Sequence, residues 1–151
     1  MTDPDRNELD AVRAAFNEIA ADYLGRVDDL PALNYDAARE ALAGFQRSLP
    51  SEGIGAEAAL RELYENGLPA TGTTSGPRFF HWVVGGSTPA AMGADWLTSL
   101  LDNPSYAWVG SPLTVELEIL SLEWLKDLFG LHEDMTGVMV TGASMANFVG
   151  M

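Results

Sequence analysis

The sequence contains no cysteine among its 151 residues. Without thiols it has no disulfide, no thiolate metal site and no cysteine nucleophile, and it is compatible with a reducing compartment, by default the cytoplasm. Histidine is almost absent as well, since only His81 and His132 occur. The two are too isolated from each other to predict a metal site with the scattered carboxylates.

Basic residues are scarce, with 8 Lys and Arg against 22 Asp and Glu and a formal net charge of −14. Such a charge repels nucleic-acid backbones and anionic membrane surfaces, so we expect neither as a partner. The first residues, "MTDPDRNELD", are rich in acidic residues, whereas a signal or transit peptide has basic residues there. No apolar run approaches the length of a membrane span. The 47% of hydrophobic residues suffices for the core of one ordinary domain.

The first part of the chain predicts three amphipathic helices. Asp3 and Pro4 form an N-cap and first-turn pair, and apolar residues then recur at three- and four-residue spacing: Leu9, Val12, Phe16, Ile19 and Tyr23. Further helices are predicted over about 35–45 and 56–66, where Gly67 supplies a stop. We interpret residues 1–66 as a helical arm and the segment 67–77, "GLPATGTTSGP", as a linker.

The second part predicts two longer helices after the aromatic run "RFFHWVV". Ser87 or Thr88 caps a helix that Pro89 opens and that extends to about Leu101. The pair Ser111–Pro112 repeats this signal before "LTVELEILSLEWLKDLF", which ends at Gly130. The latter helix is apolar on two sides, a pattern typical of a helix packed between two bodies.

The stretch "VMVTGASMANFVG", residues 138–150, predicts a strand, a glycine turn and a helix. "GVMVT" is continuously apolar, as are strands of parallel sheets, and it is the only such strand predicted. We therefore expect the front of a larger α/β domain. The N–H groups and the dipole of a helix N-terminus favour an anion at the turn, although an ordinary strand-to-helix turn has the same pattern.

Three motifs, "PRFFHWVVGGSTPAAMGADWL", "SPLTVELEILSLEWL" and "TGASMANF", occur in the order and spacing of the pyridoxal-phosphate-dependent group II decarboxylases. The sequence resembles the N-terminal portion of an aromatic-amino-acid or glutamate decarboxylase-like enzyme from about Asp5 to Met151, weakly in the arm and strongly from Pro77. The resemblance implies the α/β fold type I of pyridoxal-phosphate enzymes, truncated and mostly helical in the part present. Residues 78–151 are then the incomplete start of the cofactor-binding large domain.

The resemblance also implies a site. Gly142, Ala143 and Ser144 match the turn that holds the phosphate of pyridoxal 5′-phosphate, and their chemistry suits it: a glycine turn, backbone N–H groups and a hydroxyl. It implies an amino-acid substrate and, in the full-length enzyme, a homodimer in which the arm wraps the partner subunit.

On the substrate side, Trp82 and Val83 match a segment that lines the pocket, and Tyr106 matches an aromatic that reaches the partner subunit's active site. For Trp82 and Tyr106 core packing is an equal alternative. Gly76 stands where the family commonly has His, and His81 where many bacterial members have Gly. These departures leave the identity of the substrate open.

Pyridoxal-phosphate chemistry needs a lysine for the Schiff base and an acid against the pyridine nitrogen. The sequence contains one lysine, Lys126, three residues after Glu123, a spacing typical of a solvated helix pair. In the family the lysine follows a His and lies beyond the position of Met151, as do the ring-stacking His and the pyridine-facing Asp. We therefore predict no catalytic residue in this chain.

The predicted function is the N-terminal part of a pyridoxal-phosphate-dependent decarboxylase that releases CO2 from an amino acid to give an amine, inactive by itself. An alternative is a non-catalytic module that pairs with a full-length relative. A third, a small phosphate-ligand binder, requires more strands than the chain supplies. The last helix, "SMANFVGM", ends apolar and without a C-cap, which favours the first interpretation.

Overall fold

The computed structural model describes residues 2–45, 48–84 and 86–151, so Gly85 of the first motif lies outside the described residues. The chain divides into two compact units, Met1–Ser87 and Thr88–Met151. Across the described ranges the regular elements are all helical, six α-helices and one 3-10 turn. None of these helices combines the length and apolar character that a bilayer crossing requires.

The first unit contains α1 (Asp3–Arg26), α2 (Tyr35–Ala43), α3 (Ala56–Gly67) and a 3-10 turn at Leu68–Ala70. The predicted N-cap at Asp3 is wrong by one residue, because Thr2 takes that position. Its hydroxyl accepts from the Asp5 N–H at 3.5 Å, and the Asp5 carboxylate accepts from the Thr2 N–H at 2.7 Å. This reciprocal box satisfies two donors, which Asp3 alone cannot do. Gly67 ends α3 from inside the helix, and the chain continues into the 3-10 turn.

Helix α1 packs against α3, and polar groups join the two helices. Arg61 pairs with Glu18 at 2.8 Å, and the Tyr64 hydroxyl donates to Asp22 at 2.6 Å. Among the described residues Ala15 is the one buried hydrophobic side chain. The predicted amphipathic stripes are therefore only partly covered within the unit, and large apolar side chains such as Leu63 remain exposed.

The segment predicted as a linker is bonded to the loop between α1 and α2. The Thr73 N–H donates to the Ala32 carbonyl at 3.0 Å, and the Thr73 hydroxyl donates to the Pro31 carbonyl at 2.8 Å. Thr73 is buried as a result. The division into an arm, a linker and a large domain at residues 66 and 77 stays a prediction.

The second unit contains α4 (Pro89–Leu101), α5 (Pro112–Phe129) and α6 (Ala143–Val149). The starts and ends predicted for α4 and α5 are confirmed: Thr88 caps α4 by accepting from the Ala91 N–H at 3.2 Å, and α5 follows Ser111 and ends at Gly130. Both apolar sides of α5 are exposed in this chain. Its packing between two bodies stays a prediction.

After Gly130 the chain runs back along α5. The Glu133 carbonyl accepts from Lys126 Nζ at 3.0 Å, Gly137 lies against Leu122, and the Met139 N–H donates to Glu118 Oε1 at 3.0 Å. The strand predicted at "GVMVT" is not formed anywhere in residues 136–141. A β-strand exists only when paired, and here a carboxylate on α5, rather than a neighbouring strand, accepts the Met139 N–H.

Gly76 occupies a position that has no room for a side chain. A Cβ there would lie 2.8 Å from Thr73 Cγ2 and 3.1 Å from the Val27 carbonyl oxygen. Because Thr73 is buried and hydrogen-bonded, it cannot move aside freely. Glycine at this position, where the family commonly has His, therefore has a steric reason.

We expect Gly76→Ala to destabilise the chain by about 1–3 kcal/mol, the usual cost of overpacking. Gly25→Ala is the matched control, because Gly25 lies within α1 and its Cβ would have nothing within 4 Å. It should stabilise the chain by about 0.5–1 kcal/mol through helix propensity. Urea midpoints measured by circular dichroism should shift in opposite directions, and equal midpoints for the two variants would contradict the assignment.

Candidate functional site

The turn before α6 is built on Gly142, whose backbone has φ 91° and ψ 160°. Residues with a Cβ rarely adopt this conformation. The Gly142 N–H donates to the Val140 carbonyl at 3.1 Å, and the first bond of the following helix runs from the Ala146 N–H to the Gly142 carbonyl at 3.1 Å. The extended segment is thereby turned into a helix within one residue.

The N–H groups of Ala143, Ser144 and Met145 precede that first helical bond, and no side chain caps α6. They point toward the N-terminal end of the helix, beside a glycine whose missing Cβ leaves open space. These donors and the Ser144 hydroxyl suit a phosphate group. The residues present therefore fit the phosphate end of pyridoxal phosphate.

Trp82 and Val83 lie at the end of the first unit and point into solvent, with 82% and 105% of their surface exposed. Trp82 is therefore not packed within the described chain, and its role stays a prediction. Both residues have left-handed backbone angles, φ 66° and 53°. This is a strained conformation for a β-branched residue such as Val83. His81 is placed by an edge-on contact with the Phe79 ring, whose centroid is 5.8 Å away.

Tyr106 lies in the loop between α4 and α5 and is 88% exposed, so it is not packed within the described chain, and its role stays a prediction. The loop is held by α5 on both sides of Tyr106. The Trp108 indole N–H donates to Glu116 Oε1 at 3.0 Å, and the Thr114 hydroxyl donates to the Pro104 carbonyl at 3.3 Å.

Glu116 and Glu118 were not predicted as functional residues from the sequence. The sequence pattern that could have identified them is a pair of carboxylates, two residues apart, on a helix that is apolar on two sides. Each accepts a hydrogen bond from a segment next to a predicted site residue.

The predicted residues are divided between the two units. Trp82 and Val83 belong to the first, whereas Tyr106 and the Gly142–Ser144 turn belong to the second. In the described part of the second unit, α5 contacts both the Tyr106 loop and the segment that leads to the turn.

Lys126 is held as an ion-paired cation. Its Nζ donates to both carboxylate oxygens of Glu123, at 3.1 and 3.0 Å, and to the Glu133 carbonyl at 3.0 Å. The pair with Glu123 is confirmed, but the prediction of a solvated side chain is wrong, since only 16% of it is exposed. It is covered because it also reaches the returning segment. An ammonium group whose three protons are all donated is a poor nucleophile.

The first unit has a separate cavity of about 630 Å³ that contains none of the predicted residues. On one side Asp22 accepts from Tyr64 and pairs with Arg26 at 2.7 Å. Burial raises the pKa of the Tyr64 hydroxyl, and the hydrogen bond to Asp22 raises it further. Tyr64 therefore stays a neutral donor in this network. Within the described ranges no three His, Asp or Glu side chains converge to hold a metal ion.

The family model described as the pyridoxal-dependent decarboxylase conserved domain matches residues 41–151. The sequence is 24% identical over 114 residues to tryptophan decarboxylase 1 of Oryza sativa subsp. japonica, which covers 76% of this chain and 22% of that protein. It is 27% identical over 104 residues to an aromatic-L-amino-acid decarboxylase of Bacillus atrophaeus, which covers 69% of this chain and 22% of that protein.

Solved structures show the same likeness. The crystal structure of Oryza sativa TDC with PLP and tryptamine is similar at a TM-score of 0.70 and 24% identity, over 82% of this chain and 26% of that one. The structure of Catharanthus roseus tryptophan decarboxylase in complex with L-tryptophan gives a TM-score of 0.68 at 18% identity. The match covers 87% of this chain and 28% of that chain. The predicted fold is confirmed, and the chain spans about a quarter of the length of these relatives. Because the family model covers most of the sequence, the chain belongs to the pyridoxal-dependent decarboxylase family.

Proposed function

We propose that this chain is the N-terminal part of a pyridoxal-phosphate-dependent decarboxylase that releases CO2 from an amino acid and leaves an amine. The observation that carries the proposal is the open turn at Gly142, which presents uncapped N–H groups at the end of a segment matched by the family model. The similar proteins are named as tryptophan and aromatic-L-amino-acid decarboxylases, which supports an aromatic amino acid as the substrate.

The turn residues Gly142, Ala143 and Ser144 bind the cofactor phosphate in this proposal. Pyridoxal phosphate, when bound, supplies an electron sink for the bond to the departing carboxylate. The chain's own contribution is to hold the phosphate end of the cofactor in place. Its backbone N–H groups are already oriented to donate hydrogen bonds to an anion.

Trp82, Val83 and Tyr106 form the substrate side of the proposed site. Two exposed aromatic rings can gain contact area and edge or stacked packing from an aromatic substrate. The left-handed backbone at Trp82 and Val83 supports a functional role, because strain of this kind concentrates at binding sites. Tyr106 serves the active site of a second subunit in this arrangement.

In this proposal the arm, residues 1–66, packs on a second copy of the enzyme to form a homodimer. We propose that this homodimer is cytoplasmic. An apolar groove of about 370 Å³ between α1 and α3 supports the contact. Its lining includes Phe16, Ile19, Leu60 and Leu63. A helix or loop of the other copy would cover apolar surface that the first unit leaves in water.

The chain alone should form no Schiff base at Lys126 with pyridoxal phosphate and should not decarboxylate amino acids, because the ammonium group is ion-paired and covered. Borohydride reduction followed by peptide mass spectrometry measures the adduct. Arg39→Lys, at a position with an 80% exposed side chain, controls for non-specific labelling of an exposed lysine. A reduced adduct at Lys126 together with turnover would contradict the assignment.

In a complete enzyme that contains these residues, Ser144→Ala should weaken cofactor binding by about 1–3 kcal/mol, the range for losing a hydrogen bond to a charged group. Ala143→Val should do more harm, because it narrows the approach of the phosphate to the backbone. Cofactor release is followed by absorbance, with Ser51→Ala as an exposed control. If both variants retain the cofactor as tightly as the parent, the turn is an ordinary strand-to-helix connection.

The arm should make the chain self-associate as its concentration rises. Leu63→Glu, which places a charge in the groove between α1 and α3, should shift the chain toward monomer. Leu49→Glu, at a residue that is 95% exposed and outside the groove, should not. Sedimentation equilibrium measures the difference. A parent chain that stays monomeric at every concentration, with its arm protected from proteolysis, would argue against the proposed contact.

A further inference from the structure

Helix α5 carries two carboxylates that bond to different segments of the second unit. Glu116 and Glu118 are two residues apart, so their side chains leave the helix about 200° apart, on roughly opposite sides. Glu116 Oε1 accepts from the Trp108 indole, and Glu118 Oε1 accepts from the Met139 main-chain N–H, each at 3.0 Å. Both belong to the sequence "TVELE".

On the Glu116 side, the loop that contains Tyr106 has little burial to hold it. Trp108 is 59% exposed, so packing alone does not orient the indole. The bond to Glu116 fixes the loop after Tyr106. Before Tyr106, the Thr114 hydroxyl lies 3.3 Å from the Pro104 carbonyl and 3.1 Å from the Ser111 carbonyl, so its one proton is shared between the loop and the helix start. Tyr106 is therefore held between two anchors on the first turns of α5.

On the Glu118 side, three residues of α5, each one turn from the next, contact the returning chain. Lys126 bonds to the Glu133 carbonyl, Leu122 contacts Gly137, and Glu118 bonds to Met139. Glu118 is the last of these contacts before the chain reaches Gly142, three residues beyond Met139. It holds an extended segment that has no strand partner in the described part of the chain.

We propose that Glu116 and Glu118 are positioning residues that make α5 the common support of the Tyr106 loop and the Gly142 turn. The role in substrate and cofactor binding rests on the proposed function, whereas the two hydrogen bonds can be tested without any ligand. Because both acceptors belong to one rigid helix, the separation between the loop and the turn is set by two residues of that helix.

Amide hydrogen exchange in the 151-residue chain tests Glu118. Glu118→Ala should speed exchange at Met139 about three- to tenfold, as expected for the loss of one partly exposed hydrogen bond. Glu118→Gln keeps an acceptor oxygen and should restore most of the protection. Glu62→Ala, an exposed carboxylate of α3, is the control. Unchanged exchange at Met139 in Glu118→Ala would overturn the assignment.

The Trp108 indole N–H resonance tests Glu116, and its loss in Trp108→Phe identifies it among the four tryptophans. Glu116→Ala should shift this resonance and speed its exchange, and chymotrypsin should cut faster at Tyr106. Glu116→Gln should stay close to the parent. Trp108→Phe removes the donor without altering α5, so it should reproduce the faster cleavage even if Glu116→Ala fails to fold. An unmoved indole resonance and unchanged cleavage would overturn the role of Glu116.

Cofactor retention in a complete enzyme separates this proposal from the proposed function. Glu118→Ala should speed loss of pyridoxal phosphate by about the same factor as it speeds Met139 exchange, and Glu118→Gln should not. If Ser144→Ala and Ala143→Val both leave retention unchanged, the phosphate site fails, yet the exchange results still decide whether Glu118 positions the turn. If Ser144→Ala weakens retention and Glu118→Ala does not, the positioning role fails alone.

Discussion

The second unit depends on hydrogen bonds from the side chains of α5 to segments that have no regular structure of their own. Thr114 and Glu116 hold the loop before the helix, and Glu118 and Lys126 hold the chain after it. Isolated extended segments in water lose their backbone order unless their polar groups find fixed partners. A single helix with donors and acceptors on several sides supplies those partners here.

The same helix leaves much of its apolar surface exposed, including Leu113, Trp124 and Leu128. The first unit shows a similar imbalance, since ion pairs and the Tyr64–Asp22 hydrogen bond join its helices and Ala15 is the one buried hydrophobic side chain among its described residues. Exposed apolar surface on this scale favours further association. The chain belongs to the pyridoxal-dependent decarboxylase family and spans about a quarter of the length of the relatives it matches.

The phosphate binding proposed for the Gly142 turn needs few residues because its donors are backbone N–H groups. A helix start without a capping side chain leaves N–H donors free, and glycine lets an anion approach them. The cofactor's ring chemistry requires much more, above all a lysine with a free amine. The amine of Lys126 donates to Glu123 within α5 and to the Glu133 carbonyl of the returning segment.

Local signals in the sequence predicted the helices, most of their ends and the family. The Thr88 cap with Pro89, the Ser111–Pro112 start and the Gly130 stop act within one helical turn, so they can be identified from neighbouring residues alone. The positions of Trp82, Val83, Tyr106 and the turn could be named from motifs, although their binding roles stay predictions.

Tertiary contacts decided the rest. The strand at "GVMVT" did not form because pairing requires a neighbour that is distant in sequence. The covering of Lys126 by the returning segment and the steric need for glycine at position 76 arise between residues brought together by the fold. The sequence by itself therefore determined the helices and the family, because short-range signals encode them. Only the tertiary structure decided which side chains hold the loop and the turn, because those hydrogen bonds depend on where α5 lies beside them.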